Sequence, residues 1–141
     1  MTVLTTTAAL GAGGFYYLEN APYYSDHYRH TKQTEVTLHI LSCSLQSYQL
    51  DYGSPPEGGN ATILSQLLGG NSHKTAYISE PKAYNASDWP PKFATDPERR
   101  IVDGWGTPVR FRFSDSIRVQ SAGEDRKFDT PDDLFESTPN R

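Results

Sequence analysis

Cysteine is almost missing: Cys43 is the only one in 141 residues, so no internal disulfide framework holds this chain together. A basic excess is missing too. Thirteen Lys and Arg against seventeen Asp and Glu leave a formal charge of −4, with no cationic footprint for nucleic acid or an anionic membrane surface. Apolar residues reach only 35%, a low share for a self-sufficient core of this length, so burial against partner subunits or around a bound ion is expected to supplement it. Familiar catalytic patterns are absent: there is no G-x-S-x-G, no H-E-x-x-H, no phosphate-cradling glycine loop and no Ser/His/Asp ordering. An enzyme is not expected. A small hydrolase would need a polar cleft joining Asp96 or Asp103 to the C-terminal acids, because glycosidase chemistry sets two carboxylates across a gap.

The N-terminus also lacks charge. "MTVLTTTAALGAGGFYYLENAP" carries none before Glu19 and has the length of a bilayer span, but no Lys/Arg region that would mark a cleavable signal peptide. Thr5, Thr6 and Thr7 with Gly11, Gly13 and Gly14 make it a poor lone membrane helix, while small residues favour close helix approach. Residues 1–22 therefore read as an assembly segment buried by copies of itself. Tyr16, Tyr17, Tyr23, Tyr24 and Tyr28, five of the nine tyrosines, gather where this segment meets the rest, as subunit anchors or as an aromatic mini-core.

Residues 23–141 read as one head. A helix is expected over 23–52, with Leu38, Leu41, Leu45, Tyr48 and Tyr52 on one stripe and Lys32, Gln33, Gln46 and Gln49 opposite, ended by Gly53 and the prolines after it. A short helix "ATILSQLLGG" turns Ile63, Leu64, Leu67 and Leu68 inward. Residues 71–108 read as ordered loop packed over a small sheet. A hairpin at 108–121 follows, alternating Val109, Phe111 and Phe113 with Arg110 and Arg112, then repeating the pattern at Ile117 and Val119. Cys43 is expected as a small buried hydrophobe. His27 and His30 share a helix face near Asp26, as a metal pair or a solvated or tyrosine-packed face; His39 and His73 stand alone and signal nothing. Asn60 and Asn85 head N-glycosylation sequons in expected exposed loops.

The densest chemistry lies in "VQSAGEDRKFDTPDDLF", with Glu124, Asp125, Asp129, Asp132 and Asp133 inside one loop. A solvated acidic turn is the plain alternative. An ordered loop, however, must offset repulsion among these charges, and Arg126 and Lys127 do not suffice for all of them. A hard dication accepting many oxygens in irregular geometry would; calcium answers that description, an EF-hand spacing is absent, and zinc lacks nearby thiols and imidazoles.

"SAGEDRKFDTPDDL" resembles the calcium loop of the major pseudopilin of type II secretion systems, whose pattern is S-x-G-x-D-G-x-x-G-T-x-D-D followed by Ile or Leu. The agreement runs without a gap through Ser121, Gly123, Asp125, Thr130, Asp132, Asp133 and Leu134. "DGWGTPVRF" is similar to that family's D-P-W-G-x-x-Y at Asp103, Trp105 and Gly106, and "LQSYQLDYGSPP" to the Y-x-x-D-x-x-x-Y-P run that leaves its long helix. Gly14 and Pro22 are spaced like the helix-softening pair of pilins. Two loop glycines of the family are Arg126 and Asp129 here, and Thr5 stands where processed pilins keep a glutamate. Asp129 is expected to tolerate a left-handed backbone and even to add an oxygen.

The resemblance implies an α+β, pilin-like fold, with a long N-terminal helix packed on a small antiparallel sheet and a calcium loop at 121–134. It implies side-chain ligation by Asp125, Asp132 and Asp133, completed by backbone carbonyls near Ala122 and Lys127. The function implied is that of a structural subunit in a helical pilus- or pseudopilus-like filament. Val3, Leu4, Leu10, Gly14, Phe15, Tyr16, Tyr17 and Pro22 would form the interface between copies. Such a homo-oligomer meets the secretion or pilus assembly machinery, touches the inner membrane only before assembly, and ends as an extracellular filament or at the cell surface or periplasm. The alternative is a monomeric calcium-stabilised surface or secreted binding module that uses residues 1–22 as an anchor.

Overall fold

The computed structural model describes residues 25–88 and 92–139; the assembly segment and all eight of its expected interface residues lie outside them. Helix α1 spans Asp26–Tyr52. Its start is set by Ser25, whose hydroxyl accepts from the Tyr28 amide at 3.4 Å, and by Asp26, whose charge suits the positive end of the helix. Gly53 ends it at φ 76°, its N–H returning to the Gln49 carbonyl at 2.7 Å. The expected stripe is the buried one: Leu38, Leu41, Leu45 and Tyr48 are in the core, and Tyr52 packs against it.

Two assignments on this helix need correction. Gln33 and Gln49 are buried, not on a solvated side, and Cys43 is exposed, not buried. The reason is that α1 is covered along more than one stripe, so Thr34, Thr37, Ser42 and Ser44 are inside as well. Two of these hydroxyls are satisfied by the helix itself: Thr34 Oγ1 donates to the His30 carbonyl and Ser44 Oγ to the Ile40 carbonyl.

Helix α2 spans Asn60–Leu67 and buries Ile63, Leu64 and Leu67. Asn60 corrects the glycosylation reading. Its Nδ2, the atom a glycan would occupy, donates to the carbonyls of Ile101 (3.1 Å) and Val109 (3.0 Å), and its Oδ1 accepts from the Ile101 amide. The side chain stands in for a strand, stapling two backbone segments together. Asn85 remains exposed.

Two small sheets complete the α+β fold. β1 (Lys82–Ala83), β2 (Ala94–Thr95) and β3 (Ile101–Val102) lie within the expected loop region, β1 parallel and β3 antiparallel to β2. The second sheet is antiparallel throughout, in the order β4 (Arg110–Phe113), β5 (Ser116–Ser121), β6 (Leu134–Pro139). The expected hairpin is β4–β5. Strand β6 was not anticipated; its inward residues are Leu134, Glu136 and Thr138, too polar to draw an apolar alternation. Helix α1 lies across β5 and β6, and Ile117 and Val119 meet its leucines in one core. Gly104 lets the β3–β4 connection touch α1. A Cβ there would run into the His30 carbonyl, while its N–H donates to Thr34 Oγ1 at 2.8 Å. Among the described residues no helix is long and apolar enough to cross a membrane.

Candidate metal site

Strands β5 and β6 bring the acids together. Ser121 pairs with Leu134, so residues 122–133 form a hairpin loop whose two ends are held side by side. Within it Gly123, Arg126 and Asp129 have φ of 73°, 59° and 67°, a left-handed backbone that glycine adopts freely and other residues at a cost. At 126 and 129 these are the same two positions where the resembled family carries glycine. Gly123 is further required by crowding, because a Cβ would strike the Asp132 carbonyl.

The loop is anchored from beneath by Asp103, which is fully buried. Its Oδ1 accepts from the amides of Trp105 and Thr107, each at 3.0 Å, and its Oδ2 from the Ser121 hydroxyl at 2.6 Å. Ser121 Oγ in turn accepts from the Gly123 amide at 3.0 Å. The two motifs read separately in the sequence, D-x-W-G and S-x-G, thus meet in one buried network. Burial pushes the Asp103 carboxyl up from its ordinary value, while its three donors and the nearby Arg126 pull it back. Closed off in this way, Asp103 offers no acid to a solvent-filled cleft.

Of the five loop acids, two are spent on neighbours. Glu124 Oε2 lies 3.0 Å from His27 Nδ1, joining the loop to the start of α1, and Asp129 Oδ1 accepts from Arg110 Nη2 at 2.7 Å. Asp129 therefore does not turn inward as a further ligand; the Arg110 guanidinium holds its carboxyl below the usual range. His27 and His30 do not form a metal pair: both rings lie against Trp105, at centroid distances of 6.1 and 5.9 Å.

The other three acids converge. One oxygen each from Asp125, Asp132 and Asp133 lies within 4.8 Å of the others, and among the described residues no cationic side chain pairs with them. Donors fix their orientation. Asp125 Oδ1 accepts from the Lys127 amide, Asp132 Oδ2 from the Asp125 amide at 2.9 Å, and Asp133 Oδ2 from the Asp129 amide and Gln120 Nε2. Thr130 Oγ1 lies 2.6 Å from Asp132 Oδ1 and 3.0 Å from both Asp133 Oδ1 and the Lys127 carbonyl, its single proton serving the nearest. That hydroxyl, followed by the Asp125 amide, holds the Asp132 carboxyl below its ordinary value.

Three carboxylates without a counter-charge make a donor set for a metal ion, and their hardness excludes metals that demand sulfur or imidazole. With the Thr130 proton given to Asp132, the Lys127 carbonyl stays available as an acceptor, and Ala122 is buried at the loop entrance. What sequence reading missed here is the sorting: Arg110 alternates outward on a strand, and nothing local tells that it will take Asp129 out of the cluster. Comparison of the chain with known protein families, curated proteins and solved structures finds no match.

Proposed function

We propose that this chain is the structural subunit of a helical, pilus- or pseudopilus-like filament, in which a calcium ion held by Asp125, Asp132 and Asp133 pins the β5–β6 loop. The observation that carries the reading is the convergence of these three carboxylates within 4.8 Å, at the positions the resembled loop assigns to its ligands. Support also comes from the left-handed backbone at Arg126 and Asp129, because the loop keeps the shape those glycines serve even without them. The long helix laid across an antiparallel sheet suits a pilin-like head.

In this reading residues 1–22 of each copy bury one another along the filament axis, in a heterologous contact that does not close. Calcium neutralises the three carboxylates and stiffens the loop, presenting a fixed surface to the next subunit. The test has two parts. Negative-stain microscopy of the full chain should show filaments, and deletion of residues 1–22 should give a monomeric head. Thermal melting of that head should rise with calcium and fall with chelator. A full-length chain that stays monodisperse and monomeric without detergent sinks the filament and favours the surface-module alternative. A melt indifferent to calcium sinks the ion.

A further inference from the structure

Cys43 stands exposed on α1 at the edge of an open groove of about 540 Å3, on a flank of the molecule that the metal loop does not use. One turn before it, His39 presents Nε2 3.7 Å from the Cys43 sulfur, and its other ring nitrogen, Nδ1, lies 3.1 Å from Glu136 Oε1 on β6. A carboxylate can only accept. In the neutral ring the hydrogen therefore sits on Nδ1, which leaves the Nε2 lone pair toward the thiol. Because opposite ring nitrogens serve the two partners, the three side chains form a relay and not a chelate. The groove itself is cationic. Lys82 and Lys92 line it with no ion pair among the described residues, whereas Glu80 beside them is taken by Arg99 at 2.6 Å. Tyr77 completes that wall, its hydroxyl given to Asp51 at 2.6 Å.

We propose that Cys43 is a nucleophilic thiol that exchanges with small anionic disulfides, with His39 as its proton acceptor, Glu136 as the positioning residue for the ring, and Lys82 and Lys92 drawing the disulfide into the groove. The thiol proton passes to His39 Nε2. The Cys43 sulfur then bonds to one sulfur of the disulfide as the S–S bond breaks, and the departing thiolate takes the proton back from His39. Cys43 is oxidised to a mixed disulfide and one sulfur of the incoming disulfide is reduced and leaves as a thiol, so the disulfide is the only oxidant needed. The proposal rests on neither the filament nor the metal.

The test uses the full chain and two probes of opposite charge, dithiobis(nitrobenzoate), which is anionic, and cystamine, which is cationic. Cys43→Ser should abolish labelling. His39→Ala should slow the reaction with the anionic probe about tenfold at pH 7 and move its pH–rate profile upward, and Glu136→Gln should do the same to a lesser degree. The double variant Lys82→Gln, Lys92→Gln should erase the preference for the anionic probe, as should high salt in the unaltered chain. All these side chains are near the surface, so melting curves serve to confirm that each variant is folded. An unchanged rate and pH profile in His39→Ala, or the two probes reacting in the ratio shown by free cysteine, overturns the proposal.

Discussion

Strand β5 joins two regions that are held together by different physics. Along its length Ile117 and Val119 enter the seam with Leu38, Leu41 and Leu45 of α1, where area removed from water does the stabilising and no atom needs a particular partner. At its end Gln120 and Ser121 are equally buried but polar, and they open into a loop in which every donor must find its acceptor. The seam is therefore expected to ignore ions and pH, and the loop to respond to both.

The largest expected effect breaks the seam. Leu41→Ala should cost about 2–5 kcal/mol in urea denaturation, and by the same amount with calcium as with chelator. Next, Asp103→Ala should cost about 3 kcal/mol, since it strands the amides of Trp105 and Thr107 and the Ser121 hydroxyl in the interior. Unlike the leucine change, it should also shrink the response to calcium by loosening Gly123. Chelation in the unaltered head should remove about 2.7 kcal/mol if calcium had been present at a hundred times its dissociation constant, and Asp132→Asn should leave the fold intact while abolishing that difference.

A smaller effect sharpens the contrast from the other direction. Arg126→Gly should raise stability by about 1 kcal/mol by relieving the left-handed backbone. Asp129→Gly should gain less than that, because it also deletes the Arg110 contact; equal gains would show that the contact contributes nothing. The smallest effect lies at acid pH. Partial burial raises the Asp96 carboxyl, but donors from Arg100 and Glu98 outweigh it and leave it below the ordinary 3.8. A depressed carboxyl contributes stability that is present above the ordinary value and lost as pH falls through the lower one, so Asp96→Asn should flatten the denaturation midpoint below about pH 3.8. Asp103 has the opposite sign: its raised carboxyl favours folding most below 3.8, and that contribution declines as pH rises through the raised value.

The parts legible in the sequence share one property, which is that they are local. The α1 stripe from Leu38 to Tyr52 repeats at helical spacing, Gly53 stops it, and the alternation from Val109 to Val119 marks β4 and β5. The trio Asp125, Asp132 and Asp133 stood out by spacing and by a resembled pattern, and the folded loop does gather those three. The errors share the converse property. Gln33, Gln49 and Cys43 were sorted by polarity alone, while their exposure depends on which flanks of α1 the sheet and α2 cover. Asn60 looked like a surface sequon because its partners, Ile101 and Val109, are far along the chain. His39 carried no signal because Glu136 is 97 residues away.

The order of residues alone settled where the two helices coil and stop and where the β4–β5 hairpin extends, since those preferences act within a few residues through sterics, capping and hydrophobic period. It also settled that five negative charges would share one loop. Which of those charges are neutralised by a neighbour and which are left facing each other was decided only in three dimensions. Pairing Ser121 with Leu134 closes the loop, Arg110 and His27 reach it from other elements, and charge interactions depend on those distances and not on separation along the chain.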